Sequence, residues 1–157
     1  MMSRADDRTR RGGLSVSHIG VCVSDLDASL RFYCQGLGFE EVAAHEVGEE
    51  FAALMEVEGV RLRSRMVRRD GVTLELLDYA SPGTTGSAER RPMNQLGLTH
   101  LSLRVDDVGA VAATIESLGG TVVRSTRTTL AFDGTSLDFL YCTDPDGVRI
   151  ELMDLGG

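Results

Sequence analysis

Two histidines and two glutamates occupy matching positions in the two halves of this chain. Residues 18–26, HIGVCVSDL, are similar to residues 100–108, HLSLRVDDV, and each segment begins with a histidine. Residues 70–78, DGVTLELLD, match residues 146–154, DGVRIELMD, at six of nine positions, with a glutamate at the same place in both. Imidazole nitrogens and carboxylate oxygens are ordinary ligands of divalent metals. The repeat therefore predicts one metal site formed by His18, Glu75, His100 and Glu151.

Both glutamates lie in segments whose alternate residues are apolar. Leucines flank Glu75, while Ile150 and Leu152 flank Glu151, so each carboxylate points away from the apolar side of its strand. A carboxylate there is costly unless it is paired or bound to a cation. The alternatives are an exposed strand face or a salt bridge for the glutamates, and a hydrogen-bonded core position for a lone histidine. The ligand types suit one divalent ion, Ni, Co, Mn, Zn or Fe, without choosing among them.

A second pattern that could take part in substrate binding consists of arginines. Arg61, Arg63 and Arg65 alternate along a predicted strand, and residues two apart share a strand face. Such a stripe could receive a carboxylate or phosphate of the substrate, because guanidinium groups bind both. The alternative is a solvated strand face. The residues predicted to contact substrate are Arg63, Arg65, Met66, Tyr79 and Arg104.

The elements that position these residues also repeat. Each half is predicted to contain a strand with the histidine, then a helix, then three strands, which gives an α+β fold of two βαβββ modules. The modules cover residues 14–79 and 97–154, and a linker covers 80–96. The predicted strands are 16–23, 39–43, 60–67 and 73–79, then 98–105, 121–124, 137–143 and 148–154. The helices are capped by Ser24 or Asp25 and by Asp106 or Asp107, and an extra segment, 44–59, is predicted to hold a short helix.

The composition of the chain excludes several classes of binding partner. With 157 residues, the chain suits a single domain over residues 14–154, preceded by a disordered arm of residues 1–13. A net charge of −8 and the absence of tryptophan argue against nucleic acid, and no apolar run reaches the ~20 residues that span a membrane. Three widely spaced cysteines without a CxxC pair indicate reduced thiols in a cytoplasmic protein. A small molecule is the expected partner.

The segments SHIGVCVSDLDASLRFYCQGLGF, LGLTHLSLRVDDV and DPDGVRIELMD resemble the vicinal oxygen chelate superfamily. This superfamily contains glyoxalase I, methylmalonyl-CoA epimerase, extradiol dioxygenases and bleomycin-resistance proteins. The resemblance spans residues 14–154 and implies a cup-shaped mixed sheet, formed by both modules, around one metal. It also implies a homodimer. The His/Glu/His/Glu ligand set is similar to that of glyoxalase I.

A metal with open positions can polarise neighbouring oxygens of a substrate and acidify an adjacent carbon-bound proton. A carboxylate can then move that proton. The resemblance makes Glu151 the first choice for this base and Glu75 the second. The resulting hypothesis is a divalent-metal-dependent lyase or isomerase, glyoxalase- or epimerase-like, that forms a metal-chelated enediolate of a small oxygenated substrate. The alternatives are a non-heme Fe(II) dioxygenase and a non-catalytic protein that binds a small molecule or antibiotic.

Overall fold

The first half of the chain forms a strand, a helix and three further strands. A computed structural model describes residues 13–156, so all of the predicted arm except Gly13 lies outside the described residues. The strands are β1 (Ile19–Cys22), β2 (Glu40–Val47), β3 (Arg61–Arg69) and β4 (Val72–Ser81). Helix α1 (Leu26–Leu30) continues as a π-helical segment, Arg31–Gly36. The extra segment contains a 3₁₀ turn, Glu49–Phe51, and a short helix α2 (Ala52–Met55), as predicted.

The second half repeats this order with one addition. It contains β5 (Leu101–Arg104), α3 (Val108–Ser117), β6 (Thr121–Val122), β7 (Thr128–Phe132), β8 (Thr135–Thr143) and β9 (Arg149–Asp154). Strand β6 is shorter than the predicted 121–124, because the chain turns into a 3₁₀ segment at Arg124–Thr126 and returns as β7, which was not predicted. No helix among the described residues is long and apolar enough to cross a membrane.

Helices α1 and α3 each begin at an aspartate, which selects one residue from each predicted pair of caps. Asp25 Oδ1 accepts a hydrogen bond of 2.9 Å from the backbone N–H of Ala28, and Asp107 Oδ1 accepts one of the same length from Ala110. These bonds satisfy amide groups that have no partner within the helix. Each histidine lies just before its strand rather than in it, and each cap fixes where the chain turns from that strand, β1 or β5, into its helix.

The nine strands within residues 13–156 form two mixed sheets. The first has the order β1-β4-β3-β2, and the second has the order β5-β9-β8-β6 with β7 paired to β8. The β1/β4 and β5/β9 pairs are parallel, and the other pairs are antiparallel. The α+β fold class is confirmed. Each module contributes one of the two sheets, and no strand pairing joins the two sheets within the described residues.

One apolar core joins the two halves. The helix-covered face of each sheet contributes to it, with Leu74 and Leu76 from β4, and Ile150 and Leu152 from β9. The π-helical segment adds Phe32, which is fully buried. A Cβ built at Gly120 would lie 2.9 Å from the Phe32 ring and 2.4 Å from the carbonyl oxygen of Thr143. The turn after α3 thus lies too close to β8 and to the π-helical segment for any larger residue at this position.

Two aspartates in the turn between β8 and β9 form hydrogen bonds that join the second half of the chain to the first. The Tyr33 hydroxyl donates a 2.9 Å hydrogen bond to Asp144, and Asp146 accepts bonds from the backbone N–H and the hydroxyl of Ser24. Asp144 also accepts from the backbone N–H groups of Asp146 and Val148. Burial nevertheless raises the pKa of Asp144 from 3.8 to about 6, and the charge of Asp146 adds to this increase.

The raised pKa of Asp144 predicts a pH-dependent stability. Because the folded state holds this proton more tightly, the contribution of Asp144 to the free energy of unfolding is present below pH ~4 and is lost as the pH rises through ~6. Replacing Asp144 with Asn should remove this dependence. The free energy of unfolding of the wild type, measured in urea, should therefore exceed that of the variant by more at pH 4.5 than at pH 7. The exposed Asp133→Asn variant is the control. Parallel stability profiles for wild type and Asp144→Asn would contradict the prediction.

Candidate metal centre

The first predicted ligand pair is formed within the first module. His18 immediately precedes β1, and its Nε2 lies 3.0 Å from Oε2 of Glu75 on β4. The Ser17 hydroxyl lies 3.0 Å from His18 Nδ1, and the buried Ser64 donates a 2.6 Å hydrogen bond to Glu75 Oε1. The atoms of this pair that do not face each other therefore have hydroxyl partners of their own.

The second pair has the same composition in the second module. His100 Nε2 lies 3.4 Å from Oε2 of Glu151 on β9, and the Thr99 hydroxyl lies 2.9 Å from His100 Nδ1. Ser102 donates a 2.7 Å hydrogen bond to Glu151 Oε2, so both contacts fall on one carboxylate oxygen. The Tyr141 ring stands edge-on to the His100 ring, with 5.6 Å between their centroids. Burial and the nearby Glu151 carboxylate raise the pKa of Tyr141.

The predicted ligands thus come together as two pairs. Within residues 13–156, no cluster of three or more histidine, cysteine, aspartate or glutamate side chains could hold a metal ion. Each pair nevertheless suits half of such a site. The Nε2 atom and a carboxylate oxygen face each other, while hydroxyl groups contact His18 Nδ1, His100 Nδ1 and Glu75 Oε1, as outer partners of metal ligands commonly do. A single four-ligand site remains a prediction.

Three of the residues predicted to contact substrate share the strand face of these ligands. Met66 pairs with Glu75, and Tyr79 lies four residues beyond Glu75 on the same strand. The Tyr79 hydroxyl reaches Met55 Sδ at 3.7 Å, so α2 covers this end of the face. Arg104 lies two residues beyond Ser102, which contacts Glu151. Met66, Tyr79 and Arg104 therefore lie on the same strand face as the predicted ligands, and their contact with substrate stays a prediction.

The structure contradicts the prediction for Arg63 and Arg65. Antiparallel neighbours point to the same side of a sheet, and Arg65 pairs with the buried Leu76 rather than with Glu75. Arg63 pairs with Asp78 and forms a salt bridge with it, and Arg65 contacts Glu41. Both guanidinium groups are on the face opposite the ligands, where acidic partners at the edge of the core neutralise them. They do not line the ligand face.

Sequence reasoning missed Arg149, the first residue of β9. It lies two residues before Glu151 and on the same face, and only 7% of it is exposed. Its guanidinium carbon lies 5.1 Å from the centroid of the Tyr141 ring, the same ring that His100 contacts. The repeat did contain a signal for Arg149. The segments 70–78 and 146–154 differ at three positions, and only the change from Thr73 to Arg149 introduces a charge.

Comparison with known proteins identifies the family. A sequence model of the Glyoxalase/Bleomycin resistance protein/Dioxygenase superfamily matches residues 15–152. Because this match covers most of the chain, including both ligand pairs, the chain belongs to that superfamily. The family assignment that the sequence motifs suggested is confirmed.

Individual relatives carry two enzymatic names. A protein from Actinomyces named 2-epi-5-epi-valiolone epimerase is 28% identical over 150 residues, which covers 92% of this chain and 81% of the relative. A probable lactoylglutathione lyase from Vibrio cholerae is 30% identical over 138 residues and covers 88% of each chain. A solved glyoxalase family protein from Bacillus cereus superimposes with a TM-score of 0.76 at 18% identity, over 92% of this chain and 95% of that chain. This last likeness shows the shared fold.

The serine contacts predict unequal effects on stability. Ser64→Ala should lower the free energy of unfolding by about 1–3 kcal/mol, because it leaves a part-buried carboxylate oxygen of Glu75 without its donor. Ser102→Ala should cost less, because Ser102 is exposed and water can replace its hydroxyl. Urea unfolding of both variants in the presence of a chelator measures the difference. An equal decrease in the free energy of unfolding for both variants would mean that the Ser64 hydrogen bond stabilises the fold no more than the Ser102 hydrogen bond does.

Proposed function

We propose that this chain is a divalent-metal-dependent lyase or isomerase that acts on a small oxygenated substrate. The observation that carries the proposal is the contact within each of two His–Glu pairs, His18 with Glu75 and His100 with Glu151. Together the two imidazoles and two carboxylates have the ligand atoms that one divalent cation needs. Membership of the superfamily and the relatives named as an epimerase and a lyase support an enzyme of this kind.

These four side chains would hold the ion, whose identity among Ni, Co, Mn, Zn and Fe is open. When bound, the cation supplies polarisation of substrate oxygens and so acidifies a neighbouring C–H bond. Glu151 is the proposed base that takes this proton and returns it. His100 and Ser102 both contact Oε2 of Glu151, and Tyr141 forms a hydrogen bond with the same carboxylate. In Glu75, by contrast, each oxygen has its own partner.

We further propose that two copies of the chain complete each metal site. One pair supplies two ligands, fewer than the four or more that such ions take. Strands β1 and β5 are each paired on one side only within the described residues, which leaves a free edge beside each histidine. The segments that lead into these strands expose large apolar side chains: Leu14, Val16, Leu96 and Leu98. A homodimer could cover these side chains and bring His18 and Glu75 of one copy to His100 and Glu151 of the other.

Elemental analysis tests the catalytic proposal. The purified chain should contain about one Ni, Co, Mn or Zn per chain, and Glu151→Gln should lose most of its turnover on a 2-hydroxy-carbonyl substrate such as the methylglyoxal–glutathione hemithioacetal. Loss of the base typically costs about 10²–10⁴-fold in rate. Glu116→Gln, on the exposed face of α3, is the control. Iron with oxygen consumption would instead favour a dioxygenase, and failure to take up any metal would favour simple binding.

Mixing two inactive variants tests the shared site. A Glu75→Gln chain and a Glu151→Gln chain both carry a broken pair, but a heterodimer of the two would contain one intact site formed by the remaining wild-type pairs. Co-expression at equal amounts should then restore about a quarter of the wild-type metal content and activity, because about half of the dimers are mixed and each has one of its two sites intact. If each chain forms its own site, the mixture will remain as inactive as its components.

A further inference from the structure

A cavity of about 360 Å³ lies beside the second ligand pair. It is bounded by β1, by the linker between the modules, by the start of β5 and by the turn before β9. Apolar side chains such as Ile19, Leu98 and Val148 form part of its wall, and His100 and Arg149 also line it. The cavity is therefore continuous with a predicted metal ligand and with the arginine that sequence reasoning missed.

Arg149 is a buried charge with no carboxylate partner among the residues that the structure describes. None of the salt bridges among residues 13–156 involves it. Its hydrogen-bond partner is the backbone carbonyl of Arg91, reached by Nη2 at 2.6 Å, and its guanidinium group lies over the Tyr141 ring. Burial lowers the pKa of Arg149, and the nearby positive charge of Arg90 lowers it further. Buried charges of this kind are normally paired, so the group is suited to an anionic partner.

The other charged groups around the cavity leave this positive charge uncompensated. Arg91 also lines the cavity, and its Nη2 donates to the carbonyl of Leu96. Two acidic residues are present, Asp146 and Glu89, but Asp146 is already bound to Ser24 through both of its carboxylate oxygens. Glu89 is exposed and forms no salt bridge with the described residues. The guanidinium group of Arg149 therefore has donors available toward the cavity.

Building on the proposed function, we infer that Arg149 binds an oxyanion of the substrate, a carboxylate or a phosphoryl group, and holds it in the cavity beside the second ligand pair. The planar fork of a guanidinium group matches either oxyanion, and the Tyr141 ring keeps its plane fixed. The polar end of the substrate would then lie by Arg149, and its reacting carbon would lie toward Glu151. The substrate class is thus an anionic hydroxy-carbonyl compound rather than a neutral one.

Oxyanion binding can be measured without metal, which separates this inference from the proposed function. Chelator-treated protein labelled with ¹⁵N at arginine is titrated with inorganic phosphate and, separately, with succinate, and the arginine Nε–H signals are followed by NMR. The Arg149 signal should shift with a millimolar dissociation constant for at least one probe. Arg149→Met, which keeps the stem on Tyr141 but removes the charge, should weaken binding by about tenfold or more. The exposed Arg68→Met is the matched control and should bind as the wild type does.

The variants and probes give outcomes that decide the matter. Arg149→Lys keeps the charge without the fork, so it should bind more weakly than wild type and more tightly than Arg149→Met, and it serves if the Met variant does not fold. A shift with phosphate alone would assign a phosphorylated substrate, and a shift with succinate alone would assign a carboxylate. Undiminished binding by Arg149→Met, or no binding of either probe by the wild type, would overturn the inference. Metal uptake should be the same in Arg149→Met and wild type, so its loss in both would count against the proposed function alone.

Discussion

The apolar core that joins the two modules determines which side chains remain available for chemistry. Leu74 and Leu76 are buried in it from one sheet, and Ile150 and Leu152 from the other. Because side chains alternate along a strand, the glutamate between each apolar pair must point to the other face. The parallel pairing of β1 with β4 and of β5 with β9 then brings each histidine beside its glutamate. Burial of four aliphatic side chains thus accounts for the orientation of both His–Glu pairs.

Much of this arrangement could be predicted because the chain repeats itself. The matching segments identified the histidines and glutamates together, and the alternation of apolar residues gave the correct face for both glutamates. The aspartates at the helix starts were among the predicted caps for a local reason, namely that their side chains reach the free amides of the first turn. Such features depend on residues close in sequence, or on a spacing that the second half confirms. They need no knowledge of how the two halves pack.

The arginines show where this reasoning stops. Alternation correctly indicated that Arg63 and Arg65 share a face, but it did not say which face, because β3 buries Leu62 on one side and Val67 on the other. Only pairing with β4 decides this. Strand β7 was missed for a different reason. The sequence contains a hairpin signal for it, the Asp133–Gly134 pair, which was not interpreted as a turn. In the structure both residues have positive φ angles, 48° and 80°. Whether the two ligand pairs form one site depends on contacts that no local pattern describes.

The two His–Glu pairs are alike in composition but differ in their surroundings. A serine from β3 supports Glu75, whereas a serine from β5 supports Glu151, and Thr73 and Met66 occupy one module where Arg149 and Tyr141 occupy the other. The repeated order of strands and helices in the two modules is therefore not matched by the side chains around the two pairs. A ligand that touched both pairs would meet two different walls and could be held in one orientation only. A substrate held in this one orientation would present the same face of its reacting carbon to the catalytic base at each turnover, and this would fix the handedness of the product.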